Sequence, residues 1–288
     1  MSRLDVRKTY KLYVGGAFPR SESGRVYEVT DAKGRFLANA ARASRKDVRD
    51  AVVAARKAQP GWAAATAYNR GQVLYRVAEI LEGRRDQFTA EVADAEGISE
   101  RKAAAQVDAA IDRWVWYAGW SDKFQAVHGT ANPVAGPYFD ISVPEPTGVV
   151  AAIAPQQSSL LGFASVVAPI VVSGNTVVVV ASASRPLPAV TLAEVLATSD
   201  VPGGVINILT GHPDELAPVL AGHLDVNALD LSGMAGRDTA ELQAAAAENV
   251  KRVLKVPTTE PDWTRTPAGP RRIVAFCETK TVWHPKGR

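Results

Sequence analysis

From Gly148 onward the chain alternates short, β-branched apolar runs with helical patterns, and this predicts an α/β fold built on a parallel sheet with helices over both faces. Two further observations frame the prediction. Residues 46–120 place apolar side chains three and four apart, which is helical spacing, so a helical part precedes the sheet. The run Asn132-Pro133-Val134-Ala135-Gly136-Pro137 then breaks any helix and separates the two parts.

Taken in order, residues 11–30 alternate apolar and polar with glycines at 15, 16 and 24, which reads as two short strands joined by turns. Three amphipathic helices are expected next. Val48, Val52 and Ala55 mark the first, Val73, Leu74, Val77, Ile80 and Leu81 the second, and Val107, Ile111, Trp114 and Ala118 the third. Tyr138 to Val143 follows as a β segment. Five sheet strands are then predicted at Val149–Ala154, Thr176–Val180, Val205–Leu209, Val226–Leu231 and Val253–Val256. Beyond Pro257 the composition turns polar and proline-rich, without periodicity, as in a linker. The resulting division is 1–145, 146–257, a link at 258–270 and a closing strand within 271–288.

Composition narrows the function classes. A 288-residue chain with 47% hydrophobic residues has enough material for a proper core. Its 33 basic and 30 acidic residues are mixed along the chain, so a nucleic-acid partner is not expected. The longest apolar stretch, Val166 to Val172, is far short of the roughly 20 residues of a membrane helix. The charged start Met1-Ser2-Arg3-Leu4-Asp5-Val6-Arg7-Lys8 runs into no signal-peptide core, and a single cysteine excludes an internal disulfide. A cytoplasmic protein is the expectation. His128, His212, His223 and His284 lack metal-like spacing, and neither a Gly-x-Ser-x-Gly elbow nor a phosphate loop ending in Gly-Lys-Ser/Thr is present.

Several ordered segments carry a more specific signal: Lys11 to Phe18, the Asp47 to Trp62 helix ending in Pro60-Gly61-Trp62, Arg113 to Trp120, Pro146 to Val150, Gly174 to Val178, and Pro202-Gly203-Gly204-Val205-Ile206-Asn207. Together with the closing Cys277-Glu278-Thr279-Lys280-Thr281-Val282-Trp283 they resemble the aldehyde dehydrogenase superfamily. The resemblance implies a Rossmann-like cofactor domain at 146–257 and a small β oligomerisation sheet made by the early hairpin, Tyr138 to Val143 and the closing strand. It also implies a cysteine-bearing catalytic domain between the cofactor domain and that strand, and the sequence leaves no room for one.

At the chemical positions the chain departs from the family. Where family members carry Pro-Trp-Asn-Phe-Pro, with the asparagine donating to an oxyanion, this chain has Pro155-Gln156-Gln157-Ser158-Ser159; Gln157 takes the asparagine's place with one extra methylene. The lysine and glutamate that hold the ribose of NAD(P) are replaced in Val180-Ala181-Ser182-Ala183, where Ser182 alone keeps its type. Losing such contacts costs about 1 to 3 kcal/mol each. The Gly-Ser pair that cradles pyrophosphate falls on Leu231-Ser232, or on Ser232-Gly233 if the register slides by one, so Ser232 and Gly233 are vestigial phosphate candidates beside a plain helix-cap reading. The only cysteine, Cys277, sits in the closing strand, and Pro257-Thr258-Thr259-Glu260 stands where the family's Glu-Leu-Gly-Gly general base is expected.

These departures predict a non-catalytic aldehyde dehydrogenase-like subunit with no cofactor, or at most weak NAD(P) binding. Its expected partner is a full-length aldehyde dehydrogenase paralogue or a second copy of itself, reached through the unpaired edge of the small sheet. The alternatives are a reduced-form NAD(P)-dependent aldehyde dehydrogenase and a split-site subunit of one.

Overall fold

A computed structural model describes residues 8–267 and 269–287. The charged start read for a leader, apart from Lys8, lies outside the described residues, as do Ala268 of the linker and Arg288. Strands β1 (Val26–Thr30) and β2 (Phe36–Ala41) form an antiparallel hairpin. Helices α1 (Arg45–Ala64), α2 (Ala67–Gly83), α3 (Arg85–Glu96), α4 (Glu100–Ala118) and α5 (Phe124–His128) follow. Strands β3 (Thr130–Asn132) and β4 (Tyr138–Pro146) lead into the alternating part: β5 (Val149–Ile153), α6 (Leu161–Val172), β6 (Thr176–Val180), α7 (Leu187–Ala197), β7 (Ile206–Leu209), α8 (Pro213–Gly222), β8 (Ala228–Asp230), α9 (Ala240–Ala247) and β9 (Arg252–Leu254). A short helix α10 (Arg271–Val274) and strand β10 (Cys277–Pro285) complete the described chain.

The five alternating strands pair in parallel in the order β7-β6-β5-β8-β9, so the winding reverses between β5 and β8. Alternate residues of each strand serve opposite faces. Val150, Ala152, Val177 and Val179 join the core under α2, α4, α6 and α7, while Val149, Ala151, Val178 and Val180 join the core under α1, α8 and α9. Burial on both sides explains why these strands read as unbroken apolar runs. The expected α/β class, with its parallel sheet, is therefore the observed one.

Three local expectations need correction. The segment before Val26 forms no hairpin strands; instead Tyr13 exchanges backbone bonds with Ile208 of 2.9 and 2.7 Å and covers the β7 edge. Its alternation serves a distant strand rather than a near one. The helical part contains four long helices, not three, because α3 follows α2 after Arg84 alone and buries Phe88, Val92 and Ala95. The first helix, expected from Asp47 to Trp62, is two residues longer at each end: α1 runs from Arg45 to Ala64, held by Trp62, whose indole donates to the Val171 carbonyl at 2.8 Å. At the other end of α1, Ser44 and Asp47 form a reciprocal capping box.

A second sheet, in the order β10-β4-β3, is antiparallel. β10 pairs along its full length with β4, from Cys277 opposite Pro146 to Pro285 opposite Tyr138. Among the described residues, no helix is long and apolar enough to cross a membrane.

Candidate functional site

In a doubly wound sheet the ligand-binding crevice opens at the carboxyl ends of the strands, where the winding reverses. Here that place is bounded by the loops after β5, β6 and β8, and these loops hold every residue singled out from the sequence except Cys277. The structure turns most of them onto protein partners.

Ser182 is 3% exposed; its hydroxyl donates to the Gln156 carbonyl at 3.0 Å and accepts from the Arg185 N–H at 3.2 Å. The Gln156 side chain completes this tie between the β5 and β6 loops, donating to the Ala154 carbonyl at 2.7 Å and accepting from the Ala183 N–H at 3.0 Å. Gln157 is exposed. Its N–H donates to Glu260, and its carbonyl accepts from Arg185.

Beyond β8, Ser232 opens a three-residue 3-10 turn rather than a helix, and it makes no side-chain cap bond. Both its N–H and its hydroxyl donate to Asp230 Oδ1, at 2.9 and 2.6 Å. The second oxygen of Asp230 accepts from Arg272 of α10. Asp230 is fully buried, so the Arg272 pair and the Ser232 bonds together offset the cost of keeping its charge from water. Gly233 packs against the end of β5, where a Cβ would stand 2.0 Å from the Ala154 carbonyl oxygen. Its missing side chain is needed for contact between two backbones.

The segment after β9 closes the same end of the sheet. Glu260 receives the N–H groups of Gln156, Gln157 and Ser158, Trp263 is 9% exposed, and Arg113 donates to the carbonyls of Trp263 and Arg265 at 2.8 and 3.0 Å. The Arg272 guanidinium lies over the Trp263 ring, 5.5 Å from its centre. The sequence assigned no site role to Glu260, Asp230, Arg113 or Arg272, because each is an ordinary charged residue whose partner lies far along the chain or on another element.

Cys277 stands at the opposite end of the sheet. It pairs with Pro146, just before β5, beside Phe276, whose carbonyl accepts from Thr147 N–H at 3.2 Å and Asn175 Nδ2 at 2.8 Å. Its side chain is buried, and burial pushes the thiol up to about 11. No cluster of three or more histidine, cysteine or carboxylate side chains able to hold a metal occurs among the described residues.

Residues 18–255 match the family model described as the aldehyde dehydrogenase family. The chain belongs to the aldehyde dehydrogenase family. It is 33% identical over 259 residues to retinal dehydrogenase 2 of Homo sapiens, an alignment covering 87% of this chain and 48% of that protein. Against the mitochondrial benzaldehyde dehydrogenase of Antirrhinum majus it is 31% identical over 247 residues, covering 84% of this chain and 46% of the relative. Among solved structures, the NAD+ complex of an aldehyde dehydrogenase from Bacillus cereus superposes with a TM-score of 0.81 at 25% identity, and PnpE from Pseudomonas sp. WBC-3 with 0.81 at 27%; both cover 85% of this chain and 50% of theirs. The chain thus spans about half the length of the aldehyde dehydrogenases it matches. The family match stops at Lys255, before the segment that carries Glu260, Trp263 and Arg272.

Proposed function

We propose that this chain is a non-catalytic aldehyde dehydrogenase-like subunit, which associates through the β3/β4/β10 sheet with an active, full-length aldehyde dehydrogenase and serves it structurally or as a regulator. The observation that carries this reading is the placement of Cys277. Attack on an aldehyde needs a thiolate presented in the crevice where the cofactor and substrate meet. The chain's single cysteine is buried at the amino end of β5, while Gln157, Ser182 and Ser232 lie past the carboxyl ends. A five-residue strand separates those two ends by roughly 16 Å.

The residues present also do not fit a dinucleotide held as the family resemblance implies. Val180 offers no donor to a ribose, the Ser182 hydroxyl is committed within the loop, and Gly233 closes directly onto Ala154. Only residues 255–276 separate β9 from β10, too few for a cysteine-bearing domain.

Support for association comes from the small sheet. β10 is an edge strand, and Phe139, Ile141 and Val282 are 54%, 47% and 46% exposed on one face, with Trp283 59% exposed on the other. Such an edge, flanked by apolar side chains, is suited to pairing with another chain. The test is the native mass of the protein isolated gently from its own cells, with its companions identified. A defined complex with a full-length aldehyde dehydrogenase, lost on Val282→Asp, is the expected result. Aldehyde oxidation by the isolated chain with NAD(P)+, unaffected by Cys277→Ala, would overturn the proposal.

A further inference from the structure

One carboxylate in this chain occupies a seat built from backbone. Glu260 Oε2 accepts from the N–H groups of Gln156 and Gln157, each at 3.0 Å, and Oε1 from those of Gln157 and Ser158, at 3.2 and 3.1 Å. Three successive N–H groups converging on one point form an anion-binding concavity. Two other observations at the same place point to an anion. Arg113 is 5% exposed and donates only to neutral acceptors, the Ser165 hydroxyl and the carbonyls of Trp263 and Arg265, with no carboxylate paired to it among the described residues. Trp263 is also buried, yet its indole Nε1 has no hydrogen-bond partner, and it lines a cavity of about 300 Å³ together with Gln157, Ser158 and Glu260.

Residues 260–265 therefore lie as a strap across donors that would otherwise face this cavity. The strap lacks helix and strand and is fastened by Glu260 at one end and by the bonds of Arg113 to its carbonyls at the other. We propose that the strap is a displaceable cover, in which Glu260 fills an oxyanion seat formed by the N–H groups of 156–158, and that a small carboxylate or phosphate competes for this seat when the strap lifts. Lifting it would bare three aligned N–H donors and free the Arg113 guanidinium from the strap carbonyls of Trp263 and Arg265. All of these favour negative charge, and backbone donors pay no side-chain entropy to hold it. The strap proposal depends only on contacts within this chain, so its failure would leave the subunit proposal untouched.

Chemical rescue of the full chain tests it. Glu260→Ala should melt roughly 5 °C below the wild type, because the three N–H groups lose a charged acceptor. Sodium acetate or sodium phosphate, compared with sodium chloride at matched ionic strength, should restore the melting temperature along a saturating curve, while the wild type follows the chloride control. Rescue by acetate alone would assign the seat to carboxylates, and rescue by phosphate to phosphate groups. A variant that melts like the wild type, or one that responds to both anions no more than to chloride, would overturn the proposal. Glu260→Gln provides a readout independent of gross folding. Amide exchange at Gln156, Gln157 and Ser158 should quicken at least tenfold in that variant, and unchanged exchange would refute the fastening role of Glu260.

Discussion

Replacing Gly233 with alanine tests whether this glycine exists for packing or for a phosphate. The added Cβ would meet the Ala154 carbonyl oxygen at 2.0 Å, its carbon at 2.7 Å and the Ile153 oxygen at 2.8 Å, all of them backbone atoms at the end of the central strand. Relieving these contacts means moving either the turn after β8 or the end of β5 by roughly 1 Å, in a region where Ile153, Ala154, Ser232 and Met234 are all buried. Overpacking against rigid neighbours costs about 3 kcal/mol. With a urea dependence of about 3 kcal/mol per molar for a chain of this size, the midpoint of unfolding should fall by roughly 1 M at an unchanged slope. Equilibrium urea unfolding followed by far-UV circular dichroism, with no nucleotide present, measures it. A midpoint within about 0.2 M of the wild type would refute the packing explanation and return Gly233 to the role of a ligand-facing glycine.

Three further outcomes follow from the amino end of the sheet. The Cys277 thiol, raised from 9.0 to about 11 chiefly by burial, holds its proton in the fold longer than in the unfolded chain. Its contribution is therefore present below pH 9 and is lost as pH rises through 11, so stability should decline over that window by about 2 kcal/mol more in the wild type than in Cys277→Ala. At pH 8 the native thiol should also react with a disulfide reagent at least ~100-fold more slowly than in urea, and equal rates would contradict its burial. Asn175 is fully buried; its carbonyl oxygen accepts from Gly148 N–H at 2.7 Å, and its amide donates to the Phe276 carbonyl at 2.8 Å and to Ser173 at 2.7 Å. Asn175→Ala strands these partners and should cost about 3 kcal/mol in thermal or urea unfolding, whereas Asn175→Asp, which keeps the acceptor alone, should retain part of that loss.

The parallel sheet was legible because its strands are buried on both faces. Thr176-Val177-Val178-Val179-Val180 needs no partner to be read as a strand, and it forms one over those same residues. The Ser44–Asp47 capping box is just as local, three residues apart across one turn, but it was found only in the structure. The family likewise follows from ordered local segments, such as Pro202 to Asn207, whose residue types survive without reference to what they touch. α3 was missed because its apolar spacing continues that of α2 across a single residue. The early segment was misread because Tyr13 alternates for the sake of Ile208, almost two hundred residues away.

The candidate site shows the same division more sharply. Sequence alone identified which residue types stand at Gln157, Ser182, Ser232 and Cys277, and so which chemistry those positions could in principle supply. Only the tertiary structure decided where their hydrogen bonds go. Ser182 and Ser232 carry hydroxyls suited to a phosphate, yet Gln156 and Asp230 claim them, and Asp230 is tolerable in the core only because Arg272 reaches it from 42 residues further along. Hydrogen bonds and ion pairs of this kind depend on ångström separations between groups remote in sequence, whereas strand and helix patterns depend on neighbours a few residues apart.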